Sequence, residues 1–207
     1  MKRTYIGILA TLSLAASAAL AQTAPAATST TSGTAVTGAT IEQRKDNQQQ
    51  RIGNGLENGS LTAKEAGRLE TQEKKLNVEE RNMRQNDGGK LTDADKAKLN
   101  SQQNKLSKEI YNQKHDAQVQ PKATNEVNAR DREQQKRIGE GVKNGSLTAG
   151  EAANLEKKET KLNAEQRNLR AANGGTLTPG EKARVNRQQN RLSKQIYKDK
   201  HNGRRQR

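Results

Sequence analysis

The basic residues near the carboxyl terminus have the spacing of one helix face. From residue 184 to residue 198 they recur at intervals of three and four positions, and two arginines extend the charge beyond them. Such a face attracts polyanions through charge density and counterion release, without reading a base sequence. We therefore predict a polyanion-binding surface whose partner is an anionic polymer or membrane surface, with no sequence-specific nucleic acid. The seven predicted residues are Arg184, Arg187, Arg191, Lys194, Lys198, Arg204 and Arg205.

Positive charge is concentrated in the second half of the chain. The formal net charge is +15. Residues 41–126 contain 16 basic and 14 acidic residues, whereas residues 127–207 contain 20 basic and 9 acidic ones. The alternative interpretation is that the basic stripe is an ordinary solvated helix face. Because the chain has neither Phe nor Trp, we expect no aromatic platform for stacking single-stranded nucleic acid.

The two histidines, His115 and His201, are the first candidates for metal chemistry. Each ends a Tyr-x-x-Lys-His segment. A zinc site uses three or four protein ligands, and neither histidine has a cysteine or a second histidine within helical reach. We predict no metal site and no cofactor, and interpret both histidines as residues at helix carboxyl ends that interact with the helix dipole.

A second metal hypothesis comes from Asn-Gly-Ser-Leu-Thr-x-x-Glu, which ends at Glu65 and resembles the second half of an EF-hand calcium loop. With Glu65 as the last ligand, the first position is Asn54 and the third is Leu56, which has no side-chain oxygen. With Asp95 as the last ligand, the first position is Arg84. A degenerate EF-hand-like metal binder is therefore the third hypothesis for function.

Catalytic constellations are not evident in the sequence. It shows no nucleophile paired with a base, no phosphate-binding glycine loop before a helix, and no recurring pair of carboxylates. Ser107 and Ser193 occupy matching positions, and we interpret them as helix-surface residues. We predict that the protein is not an enzyme.

An internal repeat organises the chain. Residues 51–116 align without a gap on residues 137–202, 86 positions later, with 39 of 66 residues identical. Such a repeat defines the structural unit. We assign residues 41–126 to the first helical repeat with its connector, and residues 127–207 to the second repeat with its basic tail.

Four copies of Leu-Thr-x-x-acid mark helix starts. In a capping box the threonine hydroxyl accepts from the backbone amide three residues on, and the acid accepts from the amide of the threonine. Glycines before each motif indicate where the preceding helix ends. The predicted structural caps are Thr62 with Glu65, Thr92 with Asp95, Thr148 with Glu151, and Thr178 with Glu181.

These signals predict an all-α fold. We place helices at 63–86, 93–116, 149–172 and 179–201, and shorter, glycine-interrupted helices near 42–57 and 128–143. Leucines seven residues apart form narrow apolar stripes of the coiled-coil type, so each repeat is expected to be a short helix followed by an antiparallel helical hairpin. The core would be thin, which favours marginal stability or self-association.

The amino-terminal segment indicates export. Lys2 and Arg3 precede an apolar stretch that ends in Ala19-Leu20-Ala21, the layout of a secretory signal peptide. We predict a signal peptide at 1–21, cleaved before Gln22, and a flexible Ala/Thr/Ser-rich leader at 22–40. The chain has no cysteine, so it has no disulfides, and we expect a soluble periplasmic or secreted protein.

Two resemblances follow from these motifs. Gly145-Ser-Leu-Thr-Ala-Gly-Glu151 and Arg187-Gln-Gln-Asn-Arg-Leu-Ser-Lys-Gln-Ile-Tyr197 are similar to segments of uncharacterised exported helical-repeat proteins of Gram-negative bacteria. The repeated Leu-Thr-x-x-acid also resembles Leu-Thr-x-x-Gln of the periplasmic chaperone family of Spy and CpxP. The first resemblance implies export and repetition, and the second implies an ATP-independent chaperone.

The predicted function is binding without catalysis. The first hypothesis is an exported protein that engages an anionic surface or polymer through the basic face of the second repeat. The alternative is a periplasmic chaperone or stress-protective protein that shields unfolded protein clients with the helices of both repeats.

Overall fold

Threonine and asparagine caps set the helix starts in the computed structural model, which describes residues 40–206. This range contains six helices and no strand. The helices are α1 (Ile41–Asn58), α2 (Ala63–Asn86), α3 (Asp93–Lys114), α4 (Glu126–Lys143), α5 (Ala149–Ala172) and α6 (Pro179–Lys200). The all-α prediction is confirmed for this range. The predicted signal peptide and nearly all of the predicted leader lie outside the described residues.

The residue before α1 has a structural role that the sequence analysis did not assign to it. Thr40, which we assigned to the leader, caps α1: its hydroxyl accepts from the amide of Gln43 at 3.1 Å, and its own amide donates to Gln43 Oε1 at 2.8 Å. The helix then continues through Gly53 and Gly55. These glycines therefore do not interrupt α1, contrary to the expectation.

Within each half, buried glutamines join the first helix to the third. Gln48 Nε2 donates to the carbonyl oxygen of Gln103 at 2.7 Å and to Ser107 Oγ at 2.8 Å. Gln134 donates to the carbonyl oxygen of Gln189 and to Ser193 Oγ at the same two distances. Ser107 and Ser193 are therefore half-buried interhelical acceptors, which corrects their interpretation as helix-surface residues.

The two halves pack by pairing equivalent helices, α1 with α4 and α2 with α5. At the first crossing the backbones nearly touch. A Cβ atom added to Gly53 would lie 2.6 Å from the carbonyl oxygen of Gly139, and one added to Gly139 would lie 2.7 Å from the carbonyl oxygen of Gly53. Only glycine permits this approach, so these residues set the distance between α1 and α4.

The larger of two buried apolar clusters in the described range runs through both halves. It joins Ile52, Leu56 and Leu69 to Ile138 and Leu155. Each of these side chains is fully buried. Parts of both predicted leucine seams therefore contribute to this shared core, whereas Leu162 and Val185 of the second seam pack with Val127 in a separate cluster.

Two glutamines attach the non-helical segments after α3 and α6 to the rest of the fold by hydrogen bonds. The amide of Gln120 donates to the carbonyl oxygen of Gly59 at 3.0 Å, and the amide of Gln206, 86 residues later, donates to that of Gly145 at 3.1 Å. The Gln120 side chain also donates to the carbonyl oxygens of Leu56 and Leu61. Both segments thus fold back onto the turn before the second helix of their own half.

No helix in the described range has the length and apolar character needed to cross a bilayer.

Replacing Gly53 or Gly139 by alanine is expected to destabilise the fold. Alanine favours an isolated helix by about 1 kcal/mol over glycine, but a methyl group here meets the carbonyl oxygen of the other helix. Overpacking of this kind costs about 1–3 kcal/mol. We expect the free energy of unfolding in urea, followed by circular dichroism, to fall for G53A and for G139A.

Gly180 in α6 provides the control, because a Cβ atom there meets no other atom within 4 Å. We expect G180A to be as stable as the parent or slightly more stable. If G53A or G139A matched G180A, the close approach of α1 and α4 would not constrain the fold.

Candidate functional site

The basic face consists of the seven predicted residues of α6 and the tail. Val185, Leu192 and Ile196 are buried on one side of α6. The opposite side therefore points to solvent, and all seven basic side chains are exposed. The periodicity in the sequence thus gives the correct orientation of this helix.

Few of these cations have an acidic partner. Arg184 pairs with Glu165 at 2.8 Å, and Arg204 lies 3.6 Å from Glu151. Exposed pairs of this kind contribute only about 0–1 kcal/mol. Within residues 40–206 no carboxylate lies within 4 Å of the other four helical cations, which are Arg187, Arg191, Lys194 and Lys198.

A groove between α5 and α6 extends the basic face. Its volume is about 430 Å³, and Lys158, Lys161 and Arg191 line it above Leu162 and Leu192. The sequence analysis missed the two lysines, because it considered only the last helix. The signal was present, since Lys158 stands where the first half has Gln72.

The first half lacks this charge pattern. There Gln72 donates to Glu109 at 2.8 Å. The residue equivalent to Glu109 is Gln195, so the second half both gains a lysine and loses an acid beside the groove. The two hairpins therefore present different electrostatic surfaces on similar backbones.

The histidines cap the carboxyl ends of α3 and α6. In each, Nδ1–H donates to the carbonyl oxygen of the tyrosine four residues earlier, at 2.7 Å for both His115 and His201. Their rings stack on Tyr111 and Tyr197 with centroids 4.1 and 4.2 Å apart. This is the helix-end position that the sequence predicts.

The segment that resembles a calcium-binding loop in the sequence begins inside a helix in the structure. Asn54 and Leu56, its first and third positions, lie inside α1, whereas an EF-hand loop of 12 residues wraps around the ion. Among the residues described, no three His, Cys, Asp or Glu side chains are grouped so that they could hold one metal ion.

All four predicted threonine–acid pairs form reciprocal hydrogen bonds. The amide of Thr62 donates to Glu65 Oε2 at 2.8 Å, and the amide of Glu65 donates to Thr62 Oγ1 at 3.4 Å. The pairs at the other three helix starts have the same arrangement. These residues position α2, α3, α5 and α6 rather than a ligand.

Four glutamates of α2 and α5 are buried, which the sequence analysis did not predict. The group comprises Glu70, Glu73, Glu156 and Glu159, and each is 0% exposed. Gln49 and Gln135 donate to Glu70 and Glu156 at 3.3 and 3.0 Å. Neither carboxyl oxygen of Glu73 or of Glu159 has a hydrogen-bond partner in the described structure.

Burial keeps these carboxyls protonated to an unusually high pH. It raises the pKa of Glu73 to about 7 and the pKa of Glu156 to about 8. Burial also raises the pKa of Glu70 and of Glu159 well above the ordinary value, with neighbouring carboxyls adding to the shift. The interior of the protein therefore tolerates these residues mainly in their neutral form.

The residues next to these glutamates differ between the two halves. In the first half, Lys45 Nζ pairs with Glu80 at 3.0 Å, and both side chains are buried. The equivalent residues of the second half are Asp131 and Gln166, and Gln166 Nε2 donates to Asp131 Oδ2 at 3.0 Å. A buried cation is thus present in one half and replaced by an acid in the other.

Comparison with family models, curated proteins and solved structures finds no significant match for this chain.

Stability is expected to fall as the pH rises from 5 to 8. An unfolded glutamate loses its proton near pH 4.5, whereas Glu73 and Glu156 keep theirs in the folded chain until about pH 7 and 8. The folded state then binds more protons, so each such group costs about 1.4 kcal/mol per pH unit within its window. Carboxyl groups whose pKa is lowered in the folded state change the stability only at pH values below this range.

Glu156→Gln tests this, because an amide mimics the neutral acid. We expect E156Q to raise the melting temperature at pH 8 and to flatten its dependence on pH. The control is E133Q, an exposed residue of α4, which should leave the dependence unchanged. A parent protein equally stable at pH 5 and 8 would contradict the assignment.

Proposed function

We propose that this chain is a non-enzymatic, exported binding protein of two tandem helical repeats that engages an anionic polymer or surface through its basic face. The observation that carries the proposal is the set of four exposed helical cations without a carboxylate partner in the described range. Unpaired surface cations are available to replace the counterions of a polyanion, and this exchange drives binding without base recognition.

The groove between α5 and α6 supports the same proposal. Lys158 and Lys161 stand across from Arg191, so the cations lie on two helices and form a surface instead of a single row. A polymer that follows α6 would contact both helices. The equivalent positions of the first half carry less charge, which favours the second repeat as the site of the interaction.

The chaperone alternative has weaker support. Shielding an unfolded client requires accessible apolar surface, but the leucine seams are buried in the described structure. The large hydrophobic residues that are exposed there are scattered along the chain: Val78, Tyr111, Val119 and Tyr197. They do not form a face of one helix.

The test measures how tightly the mature protein, residues 22–207, binds a polyanion at a series of salt concentrations. Fluorescence anisotropy would follow two labelled DNA duplexes of unrelated sequence, with heparin as a competitor that is not a nucleic acid. We expect R187Q/R191Q/K194Q/K198Q to bind DNA at least about tenfold more weakly. The slope of log K against log salt should fall by about 0.9 for each lost phosphate contact.

A matched control removes four positive charges from the first hairpin instead. K75Q/K98Q/K105Q/K108Q alters exposed lysines of α2 and α3, and we expect it to retain most of the affinity. Equal losses in both variants would show that net charge alone governs binding. A strong preference between the two duplexes would also contradict the proposal.

A further inference from the structure

Two clefts in the structure occupy equivalent places in the two halves. One lies between α4 and α5, closed by the start of α2 and by residues 118–121. The other lies between α1 and α2, closed by the start of α5 and by residues 205–206. Nearly every residue that lines the latter has its counterpart, 86 positions away, in the former. We name them the second-half cleft and the first-half cleft.

The first-half cleft contains its own ammonium group. Lys45 lines it and pairs with Glu80. The Lys45 charge also opposes the rise in the pKa of buried Glu73. The ammonium of Lys45 thus neutralises Glu80, a carboxyl that lines this cleft.

The second-half cleft has no lysine at the equivalent position. Asp131 replaces Lys45 and Gln166 replaces Glu80, whereas Glu159 corresponds to Glu73. Glu159 lines this cleft, is 0% exposed, and has no hydrogen-bond partner on either carboxyl oxygen in the described structure. An unpaired buried carboxyl costs free energy that a bound donor would recover.

We propose that the second-half cleft binds a small aliphatic zwitterion, whose ammonium group contacts Glu159 and Asp131 and whose carboxylate contacts the arginines at the mouth. The ligand's ammonium would take the place that Lys45 Nζ has in the first-half cleft. The cavity of about 340 Å³ is within the range of small-molecule sites.

The mouth of the cleft selects against a simple diamine. Arg132, Arg167 and Arg170 line it together with Lys64. Arg170 donates to Asn128 Oδ1 at 3.0 Å, and Arg132 donates to Gln120 Oε1 at 3.0 Å. Donors held in this way favour an anionic group at the outer end of the ligand and repel a second ammonium.

Ligand binding is coupled to proton release. Burial, followed by the charges of Asp131 on α4 and Glu156 on α5, raises the pKa of Glu159. Burial also raises the pKa of Asp131, while its hydrogen bonds from Gln189 on α6 and Gln166 on α5 oppose the rise. The charges of Arg170 and Arg130 oppose it further. An arriving ammonium favours the charged form of Glu159 and displaces its proton.

The probe for the experiment is 6-aminohexanoate, titrated calorimetrically into the full-length mature protein in amine-free buffers of different ionisation enthalpy. We expect one site, release of protons on binding, and an affinity that rises between pH 6 and pH 8. Pentylamine tests the ammonium alone and hexanoate tests the carboxylate alone. We expect each to bind at least about tenfold more weakly.

Variants locate the site. E159Q removes the carboxylate, and D131K introduces the lysine of the first-half cleft, so that the protein supplies its own ammonium. We expect both to lose at least about tenfold in affinity for 6-aminohexanoate. The exposed E133Q on α4 should bind as the parent does, and melting temperatures at pH 6 would show that each variant is folded.

Three results would overturn the proposal. One is no heat of binding with 6-aminohexanoate at millimolar concentration. Another is unchanged affinity in folded D131K. The third is equal binding of pentylamine and 6-aminohexanoate, which would leave the arginines at the mouth without a role.

Discussion

The contact between the backbones of α1 and α4 at Gly53 and Gly139 is the constraint on which the rest of the structure depends. Where these helices approach so closely, α2 also packs against α5, and most of the buried apolar residues of both halves enter one cluster. The same arrangement encloses both clefts, since each is closed by residues of the other half's second helix. The fold is therefore more than two helical hairpins in series.

Burying four glutamates on α2 and α5 costs free energy, because charged residues are seldom fully buried without a partner. The structure accommodates them through neutral carboxyls, glutamine donors and, in the first half alone, the ammonium of Lys45. The two halves thus carry different chemistry at equivalent positions. The second half has more cations on its outer surface, and beside the buried glutamates it has Asp131 where the first half has Lys45.

The sequence predicts those features of the fold that depend on residues close together in the chain. Threonine caps act within four residues, so the helix starts at Thr62, Thr92, Thr148 and Thr178 could be predicted closely. The pairing of α1 with α4 joins residues 86 positions apart, and the glycines that permit it look like helix interruptions in a sequence. Glu73 and Glu159 share a helix face with the leucine stripes, but charged residues are normally assigned to solvent. Their identity in both halves was the signal that could have indicated burial.

The pairing of equivalent helices has a consequence for the order in which the chain can fold. Ile52, Leu56 and Leu69 share one buried cluster with Ile138 of α4 and Leu155 of α5, which lie far along the chain. Contacts of such long sequence separation slow folding, because the intervening chain must close before they stabilise anything. The core that the two halves share can therefore form only when the second half is present. The helices of the first half alone would leave part of this cluster without its packing partners.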